Sequence, residues 1–214
     1  MDKDSIAHVI DALYQLYPEA RAELHFSNPF ETLIATILAA QCTDKRVNIV
    51  TERLFADYPD AAALGALTPE ALEPLIRECG LFRTKAKNII ATCHVLTERY
   101  GGQVPQTIEE LVALPGVGRK TANLVLSDGF GIRAGVVVDT HVGRLARRMG
   151  LSDAQDPKKV ERDLMRLFSQ KYWGLLSHWL ILHGRALCAA RAPRCAQCPL
   201  AEMCPTLGVS SSGA

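Results

Sequence analysis

No apolar run in this chain approaches the ~18 residues that a membrane span needs. The longest, such as TLIATILAA at 32–40, are about half that. Net charge is almost absent, +1 over 214 residues. The opening MDKDSIAHVI carries mixed charge and no apolar stretch, so a secretory signal is not expected there. Low complexity is confined to SSSGA at 210–214, read as a frayed end, and neither a fixed-period repeat nor a long linker occurs. What remains is ordinary globular composition, 48% hydrophobic and 22% charged. A soluble, cytoplasmic protein with a sizeable core is expected.

The near-zero charge hides an asymmetry. Residues 1–110 hold 10 Lys+Arg against 16 Asp+Glu, a net −6, whereas residues 111–214 hold 14 against 7, a net +7. A basic half on a neutral protein suits an acidic polymer bound on one side.

Cysteine is present in an odd number, seven, which argues against a disulfide framework. Cys42, Cys79 and Cys93 sit in apolar helical patterns and read as buried thiols. The other four, Cys188, Cys195, Cys198 and Cys204, fall within seventeen residues as Cys-x6-Cys-x2-Cys-x5-Cys. Zinc modules usually show two close pairs separated by a longer loop. Here one close pair is flanked by single cysteines, so the loop wraps a single centre, and the spacing leaves zinc and an iron–sulfur cluster both open. Arg191 and Arg194 lie between the first two of these cysteines, where a rigid loop would present them to phosphates. The histidines at 178 and 183, in SHWLILHG, read as core or supporting residues rather than ligands.

The pattern is helical nearly throughout, which predicts an all-α fold. Asn28-Pro29 with Glu31, Thr68-Pro69, Thr107 with Glu110, and Asp156-Pro157 are helix starts, two of them with the spacing of a capping box. Gly80, Gly101, Gly129 and Gly150 mark helix ends or turns. The sole run with strand character is GVVVD at 135–139, and it has no obvious partner.

Between TIEELVAL and KTANLVLS the chain reads Pro-Gly-Val-Gly-Arg-Lys. Gly116 and Gly118 allow a tight turn and let a ligand approach the backbone around Val117. The second helix then offers unpaired amides to an anion, a way to hold a nucleic acid phosphate without reading sequence. Lys120 stands on the first turn of that helix, where the positive helix end, Arg119 and partial desolvation would depress its pKa and leave a nucleophilic amine. Asp139 closes the apolar run GVVVD and can both cap the following helix and face a cleft.

LPGVGRKTAN, then VDTH about twenty residues on, then the cysteine cluster, together resemble the helix-hairpin-helix DNA glycosylases that carry an iron–sulfur cluster. The resemblance runs from NPFETLIATILAAQCTD through CGLFRTKAKNI to the cysteines, nearly the whole chain. It implies a two-lobed fold, with a six-helix lobe at 22–133 and a second lobe made of 1–21 plus 134–214, and a cleft between them. It implies a [4Fe–4S] cluster on Cys188, Cys195, Cys198 and Cys204, Lys120 as nucleophile and Asp139 as its acidic partner. It further implies that Gln41 and Leu81 fill the gap left by an extruded nucleotide; from the residues themselves, Gly116, Val117, Gly118, His141 and Arg191 are expected to contact DNA. The expected activity is base excision repair by a bifunctional glycosylase and AP lyase, a monomer acting on double-stranded DNA with damaged pyrimidines or abasic sites, at the nucleoid. Cys42 beside Gln41, and Asp128 in LSDGFG, depart from the family pattern. An adenine-mismatch glycosylase would carry another residue in place of Lys120; a DNA-binding module without catalysis would need neither Lys120 nor Asp139.

Overall fold

The computed structural model describes residues 2–209; SSSGA at 210–214 lies outside them. No strand occurs among the described residues, and the all-α expectation holds. The chain divides into two compact units, Ala22–Ala134 and, discontinuously, Met1–Arg21 with Gly135–Ala214. Ala134, assigned from sequence to the discontinuous part, falls in the other.

The continuous unit holds α2 (Pro29–Leu38), α3 (Asp44–Asp57), α4 (Ala61–Gly65), α5 (Pro69–Ile76), α6 (Phe82–Tyr100), α7 (Ile108–Val112) and α8 (Arg119–Leu124). That is one helix more than the sequence suggested, because Asp60 accepts from the Ala63 amide at 2.8 Å and starts the short α4. Helix α8 continues into a wider π-type turn over Val125–Gly129. Helix α2 is buried on nearly every face, from Phe30 to Leu38, and runs through the middle of this core. Leu64, Leu72, Ile76, Ile89, Leu96 and Leu111 pack around it without solvent exposure. At ~1.5–3 kcal/mol for each fully buried side chain of this size, their burial is the main force holding the unit together.

Local chemistry starts the helices where the sequence places them. Asn28 Oδ1 accepts from the Glu31 amide at 2.9 Å, Thr68 Oγ1 from Ala71 at 3.2 Å, and Asp156 Oδ1 from Lys159 at 3.0 Å. The capping boxes differ in detail. Glu31 reaches back to the amide and hydroxyl of Ser27, at 2.6 and 2.8 Å, rather than to Asn28. Thr107 uses its hydroxyl twice, accepting from the Glu110 amide at 3.3 Å and donating to the Glu110 carboxylate at 2.6 Å.

The discontinuous unit holds α1 (Lys3–Leu16), α9 (Thr140–Arg148), α10 (Pro157–Leu167) and α11 (Trp173–Ala186). Trp179, Leu176 and Leu180 of α11 form its centre with Val9 and Leu13 of α1 and Leu145 of α9. The GVVVD run is extended but unpaired. Val136 and Val137 are buried, and the Val137 amide donates to Ser177 Oγ at 2.9 Å, so a side chain does what a neighbouring strand would have done.

Candidate DNA-binding and catalytic site

The turn between α7 and α8 is built as the sequence requires, with one exception. Helix α7 stops at Val112, and Leu114 and Val117 then close a tight turn through a Val117 N–H to Leu114 carbonyl bond of 3.1 Å. Gly116 sits at φ +75° with its missing Cβ against Asn88, and Gly118 is the extended N-cap of α8. Both glycines, Arg119 and Lys120 are exposed. Val117 is the exception: its side chain is buried in the core and its amide bonds within the turn, so it anchors the turn. Lys120 stands on the first turn of α8 and is exposed.

Asp139 belongs to the other unit. Its Oδ1 accepts the Val142 amide at 2.8 Å and caps α9, so one carboxylate oxygen positions the helix and fixes the direction of the group. His141, on the first turn of α9, lies with Nδ1 3.2 Å from Arg144 Nη2, and both crowd against Gly184 of α11. An added Cβ at Gly184 would stand 2.9 Å from each of those nitrogens, so the glycine is what lets α9 and α11 approach.

The loops that carry Gln41 and Leu81 are both unusual. Gln41 follows α2 at φ 54° and Leu81 precedes α6 at φ 47°, left-handed conformations that non-glycine residues seldom adopt. Leu81 is nevertheless 57% exposed, an apolar side chain held out in water. Cys42 lies in the turn after Gln41 and is only half-buried, whereas Cys79 and Cys93 are fully buried. Burial pushes both of the latter thiols up to about 12.

The C-terminal cysteines do come together. Cys188, Cys195, Cys198 and Cys204 all line one hollow, walled by Met149, Leu187 and Leu200. Among the described residues no three His, Cys, Asp or Glu side chains converge on one point as ligands of a single ion do. Burial raises the Cys198 and Cys204 thiols above their ordinary values, as expected of neutral thiols in an apolar hollow. Nitrogen atoms face the sulfurs: Arg148 Nη1 donates to Cys188 Sγ at 3.3 Å, and His183 Nε2 is 3.4 Å from Cys198 Sγ. Burial lowers His183 to about 4, so its ring is neutral. Tyr17 OH lies 3.2 Å from its Nδ1.

Two arginines that sequence reasoning passed over hold this loop. Arg144 Nη2 donates to the Gly184 and Cys188 carbonyls, each at 3.0 Å. Arg148 is 8% exposed and donates to Ala189 O at 2.7 Å and Ala190 O at 2.9 Å. Their four-residue spacing along α9 was the available signal. Arg191 and Arg194 are both exposed, and Arg194 also donates to the Ala186 carbonyl.

Comparison with known proteins places this geometry in context. Residues 34–170 match the HhH-GPD superfamily of base excision DNA repair proteins. The chain is 51% identical over 208 residues to the endonuclease III of Synechocystis sp., covering 97% of this chain and 95% of that protein. It is 41% identical to that of Escherichia coli, with 95% and 96% covered. Its fold matches a trapped endonuclease III–DNA covalent intermediate, an estranged-adenine complex, with TM-score 0.89 and 43% identity over 95% of this chain and 96% of the other.

Proposed function

Because this chain belongs to the endonuclease III family of the HhH-GPD superfamily, and is therefore a DNA glycosylase with AP lyase activity, we propose that Lys120 is its nucleophile and Asp139 the carboxylate that assists it. The observation carrying this reading is the likeness to a covalent endonuclease III–DNA intermediate over nearly the full length, joined to a lysine exposed beside the backbone turn of Gly116 and Gly118.

A base stacked in duplex DNA is unreachable, so the nucleotide must leave the helix. Backbone amides at the start of α8 hold a phosphate without reading sequence. Gln41 and Leu81 fill the vacated gap; their exposure on held, left-handed loops supports that use. The Lys120 amine, uncharged when it reacts, adds to C1′ as the glycosidic bond breaks, and the damaged base departs with the bonding pair and takes up a proton. The Asp139 carboxylate stabilises positive charge developing on the sugar and accepts a proton from the attacking amine. Ring opening leaves a protonated imine between Lys120 and C1′. Loss of a proton from C2′ then expels the 3′ phosphate by β-elimination, and water hydrolyses the imine to release the nicked strand. The substrates are oxidised pyrimidines and abasic sites.

The donor set fits a [4Fe–4S] cluster: four thiols line one hollow, with the Arg148 guanidinium donating to the Cys188 sulfur and the His183 ring beside that of Cys198. Cys188, Cys195, Cys198 and Cys204 would hold it, and its contribution is to rigidify the loop bearing Arg191. Glycosidic cleavage transfers no electrons, and no step above requires it.

Borohydride trapping on a duplex with one oxidised pyrimidine tests the reading. Intact protein should give a covalent adduct and Lys120→Ala none. Binding of the duplex without any adduct, even on an abasic site, would rule out the imine and favour a monofunctional glycosylase or a binding module.

A further inference from the structure

Lys85 is 4% exposed, deep in the continuous unit, where an ammonium group is rarely found. Its Nζ donates to two backbone carbonyls from separate segments, Leu38 O at 2.8 Å and Cys79 O at 2.6 Å. Leu38 ends α2, where the last carbonyls have no partner within the helix and carry the negative end of its dipole. Three residues later comes Gln41. Cys79 ends the short 3-10 turn Arg77–Cys79, and two residues later comes Leu81. The backbone amide of Lys85 also donates to Leu81 O at 3.0 Å. One side chain thus joins both loops.

An apolar side chain of similar length would fill this space without burying a charge. What the ammonium adds is a simultaneous bond to two loops whose tips, Gln41 and Leu81, are both left-handed and exposed. Such conformations persist where surroundings over-determine them. The titratable groups facing Lys85 are Cys79 and Cys42, one from each loop.

We propose that Lys85 is a positioning residue for base extrusion: its ammonium group ties the loop presenting Gln41 to the loop presenting Leu81 and fixes the separation at which the two enter the duplex. The proposal rests on the gap-filling roles given to Gln41 and Leu81 above. Lys85 touches no substrate.

The test is a double-mutant cycle in full-length, cluster-loaded protein. It compares Lys85→Met, Gln41→Ala with Leu81→Ala, and all three together. Single-turnover base release is measured on a duplex with one oxidised pyrimidine, along with fluorescence of 2-aminopurine placed beside the lesion to report unstacking. Lys85→Met should lower the release rate roughly ten- to hundredfold, the scale of a small misplacement away from the chemistry, and diminish the 2-aminopurine rise. Affinity for undamaged duplex should remain within about twofold. Adding Lys85→Met to the tip variants should cost nothing further, because coupled residues are non-additive. Losses that multiply, or a Lys85→Met protein as fast as the parent while the tip variants are slow, overturn the role of Lys85. Tip variants as fast as the parent instead overturn the gap-filling reading. Should Lys85→Met not accumulate as folded protein, Lys85→Gln, which retains N–H donors on a shorter uncharged arm, enters the same cycle in its place.

Discussion

Replacing each hairpin glycine with alanine separates what the turn needs to fold from what it needs to bind. At Gly116 the backbone sits at φ +75°, and a Cβ would meet Asn88 Nδ2 at 2.8 Å and Asn88 Cβ at 3.0 Å. The left-handed conformation costs an alanine ~1–2 kcal/mol, and forcing a methyl against a packed neighbour costs ~1–3 kcal/mol more. Gly116→Ala should therefore destabilise the protein by about 2–5 kcal/mol. At Gly118 the backbone is ordinary extended chain, φ −92° and ψ 173°, and nothing lies within 4 Å of the added carbon. Alanine there gains ~0.4–1 kcal/mol by restricting the unfolded chain and gives back a similar amount as a poorer N-cap. Stability should change by less than about 0.5 kcal/mol. The methyl would, however, stand where a phosphate must approach the amides of α8. Losing one hydrogen bond to a charged group costs ~1.5–3 kcal/mol, so Kd for lesion duplex should rise roughly ten- to hundredfold. Urea unfolding and fluorescence anisotropy on a duplex with a reduced abasic site, at one fixed salt concentration, measure both effects. A folded Gly118→Ala protein that binds DNA as tightly as the parent would refute the close backbone approach. A Gly116→Ala protein as stable as the parent would refute the conformational half.

Asp139→Asn keeps an oxygen for the Val142 amide, so it should leave α9 capped and stability nearly unchanged while abolishing base release; Asp139→Ala should lose activity and also ~1 kcal/mol of stability, both read by unfolding and single-turnover assays. In cluster-loaded protein at pH 8, mass spectrometry after brief alkylation should find Cys42 modified and Cys79 and Cys93 untouched, since thiols at about 12 hold almost no thiolate there. Stripping the cluster with chelator and oxidant should open the 188–204 loop to protease before any cut appears in 22–134, because Arg144 and Arg148 hold only its first residues.

The features most legible in the sequence are those whose chemistry is local. Asn28, Thr68 and Asp156 announce their helices because each cap is satisfied by an amide three residues on. The cysteine loop is equally readable, its four thiols being carried within seventeen residues of chain. What stayed hidden depends on distant partners. GVVVD looks like a strand because valine content reports burial as well as sheet, and the bond that replaces a neighbouring strand comes from Ser177, forty residues away. Lys85, Arg144 and Arg148 look like solvated cations until the carbonyls they reach are known. Val117, between two glycines, shares their turn but not their exposure, since its amide and side chain both turn to the core.

The discontinuous unit has a consequence for synthesis. Val9 and Leu13 of α1 are buried in company with Leu145, Leu176 and Trp179, which come after all of Ala22–Ala134 in the sequence. At ~5–20 residues per second on the ribosome, α1 waits on the order of ten seconds or more for those partners. The continuous unit can close its own core during that interval, while the first helix leaves the tunnel with its apolar stripe bare. That stripe is the natural place for a chaperone to hold the nascent chain. A bulky amino-terminal fusion would burden the same stretch of chain, and its harm would appear as lost yield rather than as a slower enzyme.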